Sequence, residues 1–212
     1  GLSHYLSHYG EMPRALFITH VHLDHVAGFE RLFVATYFDP ARRGKVKVYV
    51  PATVVPLLHQ RIGDYPNVLA EGGVNFWDAF QVIPVGASFW HDGVRLEVFP
   101  ARHHWPETAY GLRLHGSVVW RGDTRPIPEV LAKYADAGEL IANDCSLHGN
   151  PSHSGIDDLE REYPVELLQR CVLYHYASAA DGEALVARGH RVAHPGEVLA
   201  LQDTTVARVP PP

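Results

Sequence analysis

Three histidines and one aspartate fall within six positions, His20-Val21-His22-Leu23-Asp24-His25, directly behind the apolar run Ala15-Leu16-Phe17-Ile18. No other stretch of the chain restricts its fold so strongly. Such a run needs a strand that stops, a loop that displays the rings and a helix that carries the chain away. His20 and His22 are two residues apart, so on extended backbone both rings point to one side. Asp24 and His25 turn toward the next helix, where they can serve a second ion. The cluster predicts a metal site that later segments must complete.

The segments around it read as an α/β chain. Leu2/Leu6 and Tyr5/Tyr9 stand four apart ahead of Gly10, the end of a helix with a glycine stop. Ala15–Thr19 reads as a buried strand, and 26–37 as one helix with Val26, Phe29, Leu32, Phe33 and Tyr37 on its apolar side. Lys45–Val50 alternates as a strand. Pro51 stands at the expected start of a helix running to Ile62, and 63–79 reads as loop with a short helix near Asn75–Ala79. Strands are expected at 80–85, 89–90, 94–99, 110–114 and 118–121, with a hairpin turn at His91-Asp92-Gly93. Helical pieces at 126–137, 156–161, 164–170 and 179–188 then alternate with strands at 140–142 and 171–174. Two short strands, 191–193 and 197–201, close the chain. Hairpins followed by strand–helix alternation predict one α/β domain over 1–212, its sheets flanked by helices.

Four strand ends carry candidate ligands: His20/His22/Asp24/His25, then His103 or His104, then Asp123, then His175. Open α/β sheets place their chemistry at such ends. A nitrogen-and-oxygen donor set of this size suits zinc, manganese or iron better than calcium or magnesium alone. Three histidines with a shared carboxylate make one site, and an aspartate, two histidines and the same carboxylate make the other. Asp123 offers the rigid strand end that a bridging carboxylate needs.

These motifs resemble the metallo-β-lactamase superfamily, in particular its branch of ribonuclease Z and related phosphodiesterases. Thr19–His25 matches the first motif of that family completely. Phe99-Pro100-Ala101-Arg102-His103, followed by Tyr110-Gly111-Leu112, is similar to the strand carrying its next histidine, and the spacing to Pro106 and Gly111 favours His103 over His104. Gly122-Asp123-Thr124-Arg125-Pro126 resembles the bridging-aspartate motif, Leu173-Tyr174-His175-Tyr176 the final histidine motif, and Ser152-His153-Ser154 the Gly-His-Ser segment of ribonuclease Z. The resemblance implies a four-layer αβ/βα sandwich and two divalent ions, zinc first with manganese or iron as alternatives. It pairs His20 and His22 with His103, and Asp24 and His25 with His175, with Asp123 between them. It implies hydrolysis by a hydroxide held between the two ions, with Asp24 holding the nucleophile. His153 would donate a proton to the leaving alkoxide, oriented by Asp144.

Two departures from the family narrow the substrate. The β-hairpin that precedes the first metal motif in the family has no counterpart ahead of Ala15–Thr19. That strand is therefore expected to lack neighbours, because the chain is N-terminally incomplete or because a partner chain, as in a homodimer, supplies them. Only nineteen residues separate His103 from Asp123, room for a hairpin but not for the long arm of transfer-RNA-processing members. With a net charge of −6, which gives no electrostatic footprint for nucleic acid, this favours a small phosphodiester or related ester over RNA, a cyclic nucleotide among them. A ribonuclease Z-like nuclease and a non-catalytic metal-binding accessory protein are the competing readings. Cys145 and Cys171 form no C-x-x-C pair and read as reduced, buried thiols of a cytoplasmic protein. No apolar run approaches the ~20 residues that span a bilayer. Trp77, Trp90, Trp105 and Trp120 are expected as core or pocket walls, Trp105 as a surface for a substrate base.

Overall fold

The computed structural model describes residues 2–63 and 74–202. The chain divides into two compact units, Gly1–Gly86 and Ala87–Pro212. Among the described residues no helix is long and apolar enough to cross a membrane.

The first unit is built on a parallel sheet of three strands in the order β1 (Ala15–Phe17), β2 (Val46–Pro51), β3 (Phe80–Val85). Among the described residues its helices are α1 (Leu2–Tyr9), α2 (Leu23–Val26), α3 (Phe29–Tyr37) and α4 (Val55–Ile62), with a 3-10 turn at Phe76–Ala79. Glycine ends α1, as expected: Gly10 takes φ +71, and its N–H donates to Leu6 O at 2.8 Å. β1 has a neighbour on one side: it is the edge strand of the three and pairs along its whole length with β2, Ala15 with Lys47 and Phe17 with Tyr49. The alternation of Lys45–Val50 suggests a half-exposed strand, yet Val46, Val48, Tyr49 and Val50 are all buried, because β2 is the central strand and is covered on both faces. Phe29, Leu32, Phe33, Leu58 and Phe76 form its core, with Phe33 and Phe76 stacked at 5.4 Å. Pro51 ends β2 opposite Val85 and does not start α4. Pro56 takes the first-turn place instead, where its missing N–H has no intrahelical partner to lose. The helix expected over 26–37 is two helices, broken at Ala27-Gly28. The loop expected over 63–79 lies for the most part outside the described residues, and its short helix is the 3-10 turn.

The second unit is one sheet of six strands in chain order: β4 (Ser88–His91), β5 (Val94–Pro100), β6 (Tyr110–Leu114), β7 (Val118–Trp120), β8 (Leu140–Asp144) and β9 (Cys171–Tyr174). β4 to β7 run antiparallel, and β7, β8 and β9 run parallel. Asp92 at φ +47 and Gly93 at φ +79 make the tight β4–β5 turn, a pair of left-handed conformations that Asp-Gly favours. Helices α5 (Pro128–Tyr134), α6 (Ile156–Glu162), α7 (Val165–Leu168) and α8 (Ala179–Ala187) make the crossovers and flank the sheet. Phe99, Val119, Ile141 and Leu173 from the strands meet Leu131, Ile156, Leu159 and Leu185 from the helices in one buried cluster. Cys145 and Cys171 belong to it as free thiols, which burial pushes up to about 12 and about 11. Of the two closing strands, 191–193 reduces to one bridge between Val192 and Leu173, and 197–201 pairs with nothing among the described residues. The tryptophans are not core: Trp90 and Trp120 are exposed, Trp105 is 82% exposed, and Trp77 is half-buried with its Nε1–H donating to His59 Nδ1 at 2.7 Å.

Candidate metal centre

In the first unit the chain leaves β1 at Phe17 and reaches His22, whose extended backbone (φ −65, ψ 151) caps the single turn of α2. This turn reverses the chain so that residues five apart meet. The His20 and His25 rings lie 4.0 Å apart and the His20 and His22 rings 4.7 Å. His20 is buried, with its Nδ1 3.1 Å from Thr19 Oγ1. Asp24 is more exposed, its Oδ2 3.3 Å from His25 Nε2. The four side chains of the first motif thus form one tight group.

In the second unit the parallel register sets the geometry. Trp120 pairs with Ala142, and Asp144 with Tyr174. The ends of β7, β8 and β9 therefore present Asp123, Asp144 and His175 side by side. Two backbone features finish the placement. Gly122 takes φ +63, accessible without strain only to glycine, and turns the chain so that Asp123 is buried to 1% exposure. Its carbonyl accepts the Tyr174 hydroxyl at 2.5 Å, and burial keeps that phenol protonated. His175 takes φ +69, an uncommon conformation for a side chain of its size, found where surrounding contacts enforce it. Its Nε2 lies 3.3 Å from Asp123 Oδ2.

His103 approaches from the loop after β5. That loop is stitched to the end of β7, Arg102 N–H donating to Thr124 Oγ1 at 2.9 Å and Arg125 N–H to Arg102 O at 2.7 Å. His103 is buried and its Nε2 stands 3.9 Å from Asp123 Oδ2, whereas His104 is exposed. His103 Nδ1 lies 2.9 Å from the Ser152 carbonyl. A carbonyl only accepts, so Nδ1 carries the proton and the Nε2 lone pair is directed at the carboxylate side. Burial lowers the pKa of this imidazole and holds it neutral, the form a metal ligand needs.

His153 Nδ1 lies 2.9 Å from Asp144 Oδ2, which also accepts the Thr124 N–H at 2.9 Å. The His153 ring stacks on His175 at 4.9 Å and meets His103 edge-on at 4.8 Å. Asp123, Asp144, His153 and His175 each offer a donor atom, all within 4.8 Å of one another. Imidazole nitrogens and carboxylate oxygens converging at this spacing, with one histidine fixed in tautomer by a carbonyl, fit a divalent transition-type cation. Asp144 was legible as an acid at a strand end, but its contact with His153 needs the fold. Arg125 and Ser152 stand within the quoted motifs, but the contact of each with its partner needs the fold.

The family model described as anti-Pycsar protein Apyc1 matches residues 3–198. A protein of that name from Bacillus phage BSP38 is 26% identical over 181 residues, 76% of this chain and 67% of its own. Another, from Paenibacillus harenae, is 25% identical over 79% of this chain and 70% of its own, so the chain spans about two thirds of these relatives. A ribonuclease Z of Mycobacterium sp. (strain KMS) is 29% identical over 60% of the chain and 48% of its own. Among solved structures, a diphosphatase of the PhnP family superposes with a TM-score of 0.68 at 17% identity, covering 92% of this chain and 73% of that one. The metallo-β-lactamase fold protein YhfI of Bacillus subtilis gives 0.62 at 13%, covering 89% and 78%.

Proposed function

The chain belongs to the Apyc1 family of anti-Pycsar proteins, and from that premise we propose that it is a dinuclear metal-dependent phosphodiesterase that opens a small cyclic nucleotide. It is a metal-dependent hydrolase of the metallo-β-lactamase fold. The finer reading rests first on the convergence of Asp123, Asp144, His153 and His175 within 4.8 Å, with His103 fixed in tautomer beside them. We assign His20, His22 and His103 to one ion, Asp24, His25 and His175 to the other, and Asp123 to both. The order of the family's motifs carries that division. Zinc is the leading candidate, with manganese or iron next.

Two such ions, when bound, supply activation of water and neutralisation of phosphate charge. The protein's own groups do the rest. His103 donates Nδ1–H to Ser152 and keeps Nε2 as a donor. Asp24 orients the attacking water, and Asp123 fixes the spacing of the centre. His153, held at Nδ1 by Asp144, directs Nε2 as a proton donor to the departing alkoxide. A cavity of about 600 Å³ opens beside His153 and His175, walled by Leu147, His148, Asn150, Tyr176 and Asp181. It lies within the ~300–1,000 Å³ range of small-ligand sites, which favours a mononucleotide over a folded RNA.

The family's cyclic nucleotide phosphodiesterase activity favours the same substrate class, whereas the ribonuclease Z relative supports an RNA nuclease as the second reading. A panel of 3′,5′-cyclic nucleotides and a structured RNA separates them. Turnover of cyclic nucleotides with little dependence on salt is expected. RNA cleavage that weakens steeply with salt, without cyclic-nucleotide turnover, would favour the nuclease.

A further inference from the structure

The segment 146–155 carries His153 and also supplies the Ser152 carbonyl that sets the His103 tautomer. One side chain outside the ligand set holds it. Arg125, two residues beyond Asp123, directs Nη1 at the Asn150 carbonyl (3.2 Å), the His153 carbonyl (3.0 Å) and Asp158 Oδ2 (2.5 Å). Asp158, on the first turn of α6, also accepts the Gly155 N–H at 3.1 Å, so the far end of the segment is tied to the same carboxylate. Hydrogen bonds from Arg125 hold that carboxyl well below its usual range. The segment packs against the pair so closely that a Cβ on Gly149 would collide with the Asp158 carboxylate and come within 2.9 Å of Arg125 Nη1.

The rest of the segment transmits the constraint. Asn150 Oδ1 accepts the N–H groups of Ser152 (2.8 Å) and His153 (2.9 Å), while Ser154 donates to Thr124 O from N (3.1 Å) and from Oγ (2.7 Å). Ser152, His153 and Ser154 are thereby fixed in succession, facing His103, Asp144 and the end of β7.

We propose that Arg125 and Asp158 form a positioning clamp that places His153 for proton transfer and Ser152 against His103. The catalytic part of this statement rests on the metallohydrolase reading above; the structural part does not. Arg125 is a positioning residue: its guanidinium acts through the segment it grips. A group that orients a metal ligand from outside the ligand set typically contributes about 10- to 100-fold in activity or metal affinity.

The test compares Arg125→Ala, His153→Ala and the double variant. Hydrogen exchange is expected to accelerate in 150–154 for Arg125→Ala while amides of β8 and β9 stay protected, and to stay slow in that segment for His153→Ala. On a 3′,5′-cyclic nucleotide with zinc, whose departing alkoxide needs the proton, Arg125→Ala is expected to lose about 10- to 100-fold in kcat with KM near the parent value. The double variant should be slower than His153→Ala by clearly less than the Arg125→Ala loss, since the His153 ring carries part of both losses and the Ser152–His103 contact the remainder. Unchanged exchange in 150–154, acceleration spread over the whole sheet, or losses that multiply in the double variant would each overturn the clamp. Were the parent inactive on every phosphodiester, the function proposed above would fail, and the exchange result would still decide whether Arg125 holds the segment.

Discussion

Asp123→Asn is expected to lower kcat on a phosphodiester by about 1,000-fold or more, roughly 4 kcal/mol of barrier, while the protein stays folded. Asp123 is buried at the end of β7, and its Oδ2 is the atom that both His103 Nε2 and His175 Nε2 approach. An amide keeps the volume but has one acceptor oxygen and no charge, so it cannot hold two cations at a fixed spacing. The same change separates a metal role from a structural one. A buried carboxylate is an expensive charge, and replacing it with a neutral isostere relieves desolvation. The metal-free variant should therefore melt no lower than the metal-free parent. Zinc should raise the parent's Tm, since a ligand at about 100 times its Kd adds about 2.7 kcal/mol of stability, and should raise the variant's far less. Equal zinc-induced shifts in the two proteins would remove Asp123 from the centre.

A second large effect lies in the second unit's Arg113 network. Glu139→Ala is expected to destabilise the protein by about 3–5 kcal/mol, the usual consequence of removing one partner from a buried ion pair. Glu139 is fully buried at the start of β8. Its Oε1 accepts Arg113 Nε at 2.8 Å and Gly116 N–H at 3.0 Å, and its Oε2 accepts Ala137 N–H at 3.1 Å. Arg113 is itself 5% exposed and also pairs with Asp136 and Glu97. Without Glu139 its guanidinium loses a fully buried counter-charge, and two turn amides lose their acceptor. For a chain of this length the Tm should fall by about 10 °C or more. The pH dependence adds a signature. Burial alone would raise the Glu139 carboxyl, but the Gly116 amide and Arg113 outweigh it and leave the folded-state pKa below the ordinary value. A depressed folded-state pKa means the unfolded chain binds more protons, so stability rises with pH. The contribution is complete above the ordinary carboxylate pKa and is lost as pH falls through the folded-state value. Urea unfolding of the parent should show that acid loss, and Glu139→Ala should show a flatter profile. A change below 1 kcal/mol at neutral pH would show the network to be dispensable.

Much of the architecture was legible because hydrophobic period and turn chemistry are local. Cys171–Tyr174 emerges as β9 with the expected ends, Asp92-Gly93 makes its hairpin, and Gly10 stops α1. What local patterns could not give is which strand becomes central. Lys45–Val50 alternates, yet Val48, Tyr49 and Val50 are all buried, so side chains on both faces of β2 are covered. The short strand expected at 197–201 stays unpaired among the described residues. Apolar bulk alone did not separate core from surface at Trp90, Trp105 and Trp120, whose rings are exposed and so are not core. At the site, the residues with a motif could be named from the chain. The contacts between Asp144 and His153, Ser152 and His103, and Arg125 and the 150–153 carbonyls join positions 9, 49, and 25 to 28 residues apart. They exist only because parallel β7 and β8 bring their ends together.

Titrating metal back into stripped protein tests metal-coupled phosphodiester hydrolysis most directly. Protein treated with chelator should be inactive on a 3′,5′-cyclic nucleotide. Added zinc or manganese should restore turnover, with activity reaching its plateau at two ions per chain and yielding the linear mononucleotide. Full turnover in chelator, or metal-loaded protein that leaves every cyclic nucleotide and model phosphodiester intact, would contradict it.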